Sequence, residues 1–419
     1  MNIFTFTKAE LMPALIYVMS AVEKKAAKLV LTHILMEVTD NSLKMTATDL
    51  DIELICSYQV TETNNGKFLI PARKFFDIIN TLPEDKNITM EVGSNILVKC
   101  GRAKYKLETE DAQDFPNVEE WDEMHNLKMK ANTFSNQLIT SSYAMGNQDV
   151  RSYLNGVNIT VRNQLMTMAA TDGHRLAICE ENVESGDIDA NIILPRKAIL
   201  DLIKQIPKSD EQISVSLGNN HFRVTWDGFS HCTKLIAGKF PDYKRVMPDP
   251  SKGVTVVSLN IDELRNKLNA VQILANEKFK GVRLMFSTDT LTLQSNNPEQ
   301  DEAEEVIENI SNITVDSTIG FNGGYLAAPL GVMETKEVDI IFGDANTSAI
   351  THKRWVGAID FNRFNASGDA LLSGTNLVGA NINLQCTYTA AAQLATTLYA
   401  AVMYDVMYTI QDGLLVANS

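Results

Sequence analysis

Thr171-Asp172-Gly173-His174-Arg175-Leu176-Ala177 lies near the middle of the 419-residue chain and is echoed on both sides. About 123 residues earlier stands Thr46-Ala47-Thr48-Asp49-Leu50, and about 125 residues later Gln294-Ser295-Asn296-Asn297-Pro298. Each polar turn follows one alternating apolar stretch and leads into another, the pattern of two strands joined by a turn. Other landmarks keep the spacing. Pro71-Ala72-Arg73-Lys74 returns 124 residues later as Pro195-Arg196-Lys197, and Phe115-Pro116 returns after 125 residues as Phe240-Pro241. A period near 124 is far longer than a solenoid repeat of 20 to 50 residues, and each unit can bury its own core. The sequence therefore predicts three tandem domains, 1–122, 123–250 and 251–350, followed by a segment 351–419 outside the pattern.

Each unit reads as α+β, two helices backed by antiparallel strands. The first unit opens with a strand over 2–6. Thr7 and Glu10 then stand at capping-box spacing, ahead of a helical stripe of Leu11, Ala14, Leu15, Val18, Met19 and Val22. Strands are expected over 28–38, 42–48, 51–58 and 66–71, a second helix over 72–82 entered from Pro71, and strands over 87–92, 95–99 and 103–107. The second unit gives a helix over 134–145 and strands over 154–161, 165–170 and 175–181. A helix entered from Pro195 follows, then a hairpin 213–217/221–226. In the third, Asn260 and Glu263 repeat the cap spacing before Leu264, Leu268, Val271 and Ala275. Strands follow over 282–286, 291–294 and 302–307. The second-helix slot spans 319–333, where Ala327-Ala328-Pro329 is expected to interrupt it, and the hairpin slot falls at 338–342/347–350.

The net charge of -15 argues against a protein that coats nucleic acid with its whole surface, but leaves a local basic face open. Five scattered cysteines without CxxC spacing fit reduced thiols of a cytosolic protein. The N-terminus lacks the order of a signal peptide. Residues 389–410 carry a single charge and read as buried or strand-forming. No catalytic constellation emerges. The six histidines show no metal-ligand spacing, and P-loop, GxGxxG and GxSxG motifs are missing. The expectation is therefore no enzyme, no cofactor and no metal. His174 beside Asp172 reads as a loop anchor rather than an acid–base pair.

Lysines and arginines gather in the helix slots, among them Lys24, Lys25, Arg73, Lys74, Arg151, Arg196, Lys197, Lys204, Arg265, Lys267, Lys278 and Lys280. Two readings stand: a phosphate-binding lining that ignores base sequence, or ordinary solvated helix ends. A second pattern is sharper. Arg102, Lys104 and Lys106 alternate along one strand of the first unit, and Asp301, Glu302, Glu304 and Glu305 crowd one strand of the third. Such edges either pair between copies, with charge fixing orientation, or remain separately solvated.

Six segments carry a family resemblance: TDGHRLA, GKFPDYKRVMP from Gly238 to Pro248, IPARKFFDI, QDVRSYLNG, LANEKFKGVRL and NNPEQDEAEE. In their order and spacing along the chain they resemble the bacterial DNA polymerase III beta subunit, the sliding clamp, from residue 1 to about 350. The resemblance implies clamp domains of two helices backed by sheets, and a head-to-tail dimeric ring around double-stranded DNA with the helices lining the hole. It implies a processivity factor of the cytoplasm that tethers the replicative polymerase and is opened by a separate clamp loader. Partners would be the DNA polymerase III alpha subunit, the loader and other clamp-binding-motif proteins, with no membrane. Carried over position by position, the partner-peptide cleft would comprise Leu154, Thr171, Gly173, His174, Arg175, Leu176, Pro241, Arg245, Val246, Asn322 and Tyr325. Leu154, Leu176, Pro241 and Val246 would supply its apolar pocket. Lys25, Arg73, Gln148, Arg151, Tyr153, Arg196 and Lys197 would lie near DNA, with Ser152 departing from the aromatic expected there. Tyr105, Ile273 and Leu274 would form the apolar centre of the dimer contact, flanked by Lys74, Arg102, Lys104, Glu302, Glu304 and Glu305.

The resemblance breaks after about residue 350, where the family's closing strand, like VMPMRL, does not occur. Residues 351–419 instead contain only seven charged side chains, Lys353, Arg354, Asp360, Arg363, Asp369, Asp405 and Asp412. That is roughly half the upstream density, a composition shift that points to another origin. Strands are expected over 381–389 and 398–410, with a turn at Gln411-Asp412-Gly413, and 355–361 falls where the last clamp strand should be. AIDFNRFN and TLYAAVMYDVMYTIQDGLL weakly resemble the end of double jelly-roll viral capsid proteins. A fusion, a chimera joined from a second source and drift of the third domain's end all stay open. The alternative function is a chimeric protein with a structural, capsid-like assembly role.

Overall fold

The structure, a computed structural model, describes residues 2–23, 28–39, 42–59, 65–116, 125–184, 187–245, 254–311, 313, 316–343, 382–387, 397–402, 407–411 and 414–418. The first repeat runs β1 (Asn2–Thr7), α1 (Lys8–Met19), β2 (His33–Thr39), β3 (Ser42–Thr48), β4 (Ile52–Gln59), β5 (Gly66–Pro71), α2 (Ala72–Thr81), β6 (Asn87–Val92), β7 (Ile96–Cys100) and β8 (Ala103–Leu107). The second runs β9 (His125–Lys130), α3 (Ala131–Ser142), β10 (Gly156–Arg162), β11 (Leu165–Thr171), β12 (Arg175–Asn182), β13 (Ala190–Pro195), α4 (Arg196–Gln205), β14 (Gln212–Leu217), β15 (His221–Trp226) and β16 (Phe229–Lys234). The third runs β17 (Val254–Asn260), α5 (Ile261–Gln272), β18 (Gly281–Ser287), β19 (Thr290–Asn296), β20 (Glu302–Glu308), β21 (Ser317–Asn322), α6 (Gly323–Leu330), β22 (Glu337–Gly343), β23 (Ile382–Thr387) and β24 (Thr397–Val402). One order of strand, helix, four strands, helix and three strands therefore occurs three times. A hairpin of β25 (Met407–Gln411) and β26 (Leu414–Asn418) follows.

Several boundaries differ from the sequence expectation for local reasons. The strand expected from residue 28 starts at His33, because Leu29–Thr32 is a 3₁₀ turn in which the Thr32 hydroxyl donates to the Leu29 carbonyl at 2.7 Å. α3 starts three residues early. Its Ala131 and Asn132 N–H groups donate to the carbonyls of Glu211 and Ser209 at 2.8 and 3.0 Å, so backbone does the work of a capping side chain. Three further strands lie outside the sequence expectation: β9 and β16, short and interrupted by polar residues, and β13, a short run of six residues that leads directly into α4. In the third repeat 319–322 is strand, and Asn322 caps α6 by accepting from the Gly324 N–H at 2.9 Å. Pro329 does not interrupt this helix. It sits in the last turn, and the helix ends one residue later at Leu330.

The largest correction concerns the tail. The chain does not lack the last clamp strands: β23 and β24 hold the ninth and tenth positions of the third repeat. The expected strand at 347–350 and the substitute at 355–361 lie outside the described residues.

The chain divides into two compact units, 1–135 with 197–236, and 136–196 with 237–419. The first contains a sheet ordered β1-β6-β7-β8 and an eight-stranded sheet ordered β5-β2-β3-β4-β16-β15-β14-β9. Their alternating strands bury Phe4, Phe6, Ile34, Met36, Ile88 and Met90, and the helices add Leu11, Leu15, Phe75 and Ile79. Thr7 and Glu10 form the expected capping box on α1. The eight-stranded sheet is seamed at β4–β16, from Ile52 opposite Thr233 to Cys56 opposite Phe229, and Tyr17 meets Trp226 and Phe229 edge-on above it.

The second unit is built the same way. Its eight-stranded sheet, β13-β10-β11-β12-β24-β23-β22-β17, is seamed at β12–β24, from Arg175 opposite Val402 to Glu180 opposite Thr397. Its four-stranded sheet is ordered β20-β19-β18-β21, with Leu264, Leu268 and Val271 of α5 and Leu326 of α6 buried. In both seams the strand after the polar turn pairs with the last strand of a repeat, β4 with β16 and β12 with β24.

Candidate functional site

The turn between β11 and β12 is fixed by its own side chains. The Thr171 hydroxyl donates to the Arg175 carbonyl at 2.7 Å and accepts the Gly173 N–H at 3.1 Å. Asp172 Oδ1 accepts the N–H groups of His174 and Arg175 at 2.9 and 3.0 Å, and its Oδ2 accepts from Arg175 Nε at 3.0 Å. Gly173 has φ +91°, a left-handed conformation that glycine takes without strain. A Cβ there would lie 3.1 Å from the Arg151 guanidinium.

Held in this way, the two basic side chains meet aromatics. His174 stacks on Tyr325 at 5.9 Å and 19°, and the Arg175 guanidinium lies over the rings of Tyr325 and Tyr143 at 5.1 and 5.6 Å. The arrangement is a cationic and aromatic rim carried by β12 and the start of α6, where Asn322 is the cap. Leu154 and Leu176 are fully buried, so an apolar side chain reaching them has to displace what covers them. Pro241 is half-buried; the Arg245 side chain and Val246 lie outside the described residues. Tyr143 and Tyr243 were missed by the sequence reading. The Tyr243 phenol is buried and pushed up to about 12 by that burial, and Tyr143 gave no signal except an aromatic ring just past a helix.

The residues expected near DNA separate into two groups. Arg151 is committed to Asp149 through Nε and Nη2 at 3.0 and 2.9 Å. The Arg151 hydrogen bonds hold the Asp149 carboxyl below the usual range and raise the guanidinium. Arg151 thus serves as a strut under Gly173. Gln148, exposed at φ +56°, and half-buried Tyr153 stand in the same stretch. Arg73 and Lys74 occupy the first turn of α2, and Arg196 and Lys197 the first turn of α4, with no acidic residue in either first turn. Positive charge at a helix N-terminus opposes the helix dipole by a few tenths of a kcal/mol or more. The bland reading of these pairs as C-terminal charge compensation therefore does not apply. Lys197 is paired with Asp49, whereas exposed Arg73 and Lys74 make no ion pair among the described residues. Lys25 lies outside the described residues.

The opposite-charge strands are both sheet edges. Among the described residues β8 pairs only with β7; Lys104 and Lys106 on it and Arg102 in the turn before it are exposed, with Tyr105 half-buried between the two lysines. Among the described residues β20 pairs only with β19 and presents Glu302 and Glu304, with Glu305 drawn to Lys267 at 3.1 Å. Ile273, just past α5, is 80% exposed, and Leu274 is half-buried. Among the described residues no His, Cys, Asp and Glu group has the arrangement of a metal site, and no helix is long and apolar enough to cross a membrane.

Comparison with known proteins gives one family throughout. The profiles of the DNA polymerase III beta subunit match as its N-terminal domain over residues 2–119, its central domain over 128–242 and its C-terminal domain over 244–355. The beta sliding clamp of Pseudomonas aeruginosa is 38% identical over 356 residues, 84% of this chain and 95% of the relative. That of Escherichia coli K12 is 33% identical over 348 residues, 82% and 94%. Among solved structures, the Pseudomonas aeruginosa sliding clamp bound to griselimycin superposes with a TM-score of 0.82 at 32% identity, covering 96% of this chain and 98% of that one. The Bacillus subtilis sliding clamp, at 21% identity, shares the fold with a TM-score of 0.80.

Proposed function

The chain belongs to the DNA polymerase III beta subunit family, the bacterial sliding clamps, and on that footing we propose how its surfaces perform the work of a clamp. Its role is that of a processivity factor in DNA replication. We read it as a non-catalytic, cytoplasmic protein that acts as a closed ring on double-stranded DNA. One observation carries the ring. In both seams, the strand after the polar turn pairs with the last strand of a repeat: β4 with β16, β12 with β24. Among the described strands, β20 and β8 alone keep that pairing edge open, one acidic and one basic. A second copy supplies each with its missing partner, β20 of one copy against β8 of the other. A head-to-tail contact repeated twice closes on itself. Lys74, Arg102, Lys104 and Tyr105 would then face Ile273, Leu274, Glu302, Glu304 and Glu305 of the other copy.

The basic first turns of α2 and α4 and the 148–153 stretch would touch phosphates without reading bases. Topological linkage lets those contacts be weak, which reconciles them with an acidic protein. The rim of His174, Arg175 and Tyr325 would bind short peptide motifs of the polymerase III alpha subunit, the clamp loader and other partners. Loaded onto nicked circular plasmid, the protein should stay bound through gel filtration and leave when the plasmid is linearised. Equal retention on both forms would refute the ring. A Glu302→Lys, Glu304→Lys variant should sediment at half the mass and fail to be retained. The capsid-like alternative has lost its motive, because β24 completes a clamp sheet.

A further inference from the structure

Tyr143 is the first residue past α3, and its backbone is pinned on both sides. Ser141 and Ala144 are fully buried, and the N–H groups of Ala144 and Met145 donate to the carbonyls of Ser141 and Ser142 at 3.3 and 3.2 Å. The ring is half-buried, and the Arg175 guanidinium carbon lies over it at 5.6 Å. Tyr325, the third residue of α6, takes the same cation at 5.1 Å and His174 at 5.9 Å. Asp172 Oδ2 accepts from Arg175 Nε at 3.0 Å, and the arginine side chain is left only 19% exposed. One guanidinium is therefore held by three parts of the second compact unit: the end of α3, the β11–β12 turn and α6.

These holds do different work. Asp172 is fixed by its own turn, where its Oδ1 accepts the N–H groups of His174 and Arg175, so it anchors Nε whatever lies beside the arginine. Tyr325 divides its ring between two cationic neighbours. Tyr143 brings a second ring from a distant element. A cation over an aromatic face is attracted by the ring's quadrupole, and the more so when water is partly excluded. An arginine free to turn about its side-chain bonds loses that freedom when a ligand binds, at a cost of a few-fold to about tenfold in affinity. An arginine already held over two rings has given up that freedom in the free protein.

We propose that Tyr143 is a positioning residue of the peptide rim: it holds the Arg175 guanidinium in advance, with Nη1 and Nη2 set to meet an acceptor on the bound peptide. Those two nitrogens carry four of the five donors of a guanidinium, and Nε is the one given to Asp172. The proposal rests on the reading of the rim as a peptide site and adds to it a residue outside both β12 and α6. Tyr143 sets affinity there by acting through Arg175. The ring carries the effect, so a phenyl ring serves, whereas an aliphatic side chain keeps the burial and loses the attraction.

The test uses the full chain and acetyl-Gln-Leu-Leu-Leu-Phe-amide, whose apolar side chains suit the Leu154–Leu176 pocket and whose carbonyls suit a guanidinium, titrated by calorimetry to about 1 mM. Tyr143→Leu should weaken the peptide about three- to tenfold, and the conservative Tyr143→Phe should restore binding to within about twofold. In an Arg175→Met background, Tyr143→Leu should cost nothing further, because its effect runs through the guanidinium. Tyr143→Met, a flexible side chain without a ring, takes the place of Tyr143→Leu if that variant does not fold. Wild-type affinity in the ringless variant, an equally deep loss in Tyr143→Phe, or a loss that persists undiminished in the Arg175→Met background overturns the proposal and leaves the rim in place. An Arg175→Met protein that binds as the wild type does, or a wild type that binds no peptide, overturns the reading of the rim and the proposal with it.

Discussion

The β4–β16 and β12–β24 seams are two versions of one joint, and their turns share a backbone while differing in nearly everything they show to solvent. Thr48 and Asp49 do for one turn what Thr171 and Asp172 do for the other, bond for bond. Between them Leu50, Asp51, Ile52 and Glu53 replace Gly173, His174, Arg175 and Leu176. The lesson is that the repeated unit specifies how strands join, not what the joint binds. Frame residues are the ones whose side chains satisfy backbone groups; the others are free to carry charge of either sign. One seam became cationic and aromatic, the other acidic.

The seams also differ below the surface, and the largest expected effect comes from there. His231 on β16 is wholly buried opposite Leu54, neither ring nitrogen has a hydrogen-bond partner among the described residues, and burial pushes its pKa down to about 3. The unfolded chain, with an ordinary histidine near 6.5, takes up the proton first as pH falls. Stability is therefore unaffected by His231 above pH 6.5 and is lost below it, down to about pH 3, at up to about 1.4 kcal/mol per pH unit. Urea unfolding at pH 7 and pH 4 should show the wild type losing roughly 3 kcal/mol more than His231→Leu over that interval. Parallel losses in the two proteins would mean that the β4–β16 seam tolerates a charged imidazole.

Removing the shared aspartates comes next. Asp49→Ala and Asp172→Ala each leave two turn N–H groups without their acceptor, and each should cost about 2 kcal/mol in thermal or chemical unfolding. The two should then part company. Asp172→Ala also releases the Arg175 side chain from its carboxylate and should abolish peptide binding at the rim, whereas Asp49→Ala releases Lys197 and should leave the rim untouched. Equal peptide affinities in the two variants would mean that the Asp172 frame does not position the rim.

The frame was legible in the sequence because its parts are local. Thr7 with Glu10, Asn260 with Glu263, and the echoed threonine–aspartate pairs each act within three or four residues, so their spacing carries their chemistry. The seams were not legible. β16 reads Phe-Ser-His-Cys-Thr-Lys, too polar for a core strand, yet it fills an interior position because β4 lies beside it, some 175 residues earlier. β23 and β24 were hidden for a related reason: residues 344–381 separate them from β22 and break the period on which the repeat was recognised. The rim depended on the same kind of distant pairing. Nothing near His174 in the chain announces Tyr325, and Arg151 reads as a phosphate ligand until Asp149 is seen to hold it.

The smallest effect is the one that distinguishes a strained frame from a strained function. Leu50→Gly relieves the left-handed leucine, about 1–2 kcal/mol, but adds unfolded-chain freedom worth roughly 0.5–1 kcal/mol. The net should be a gain of under about 1 kcal/mol in a urea melt. Gly173→Ala runs the other way: it places a side chain at φ +91° and 3.1 Å from the Arg151 guanidinium, so it should lose about 1 kcal/mol or more and disturb the Arg151–Asp149 pair. If both hold, the two turns are one frame with its strain relieved in one seam and retained in the other. A Leu50→Gly protein no more stable than the wild type would instead mean that the part of the Leu50 side chain that is packed already offsets its strain.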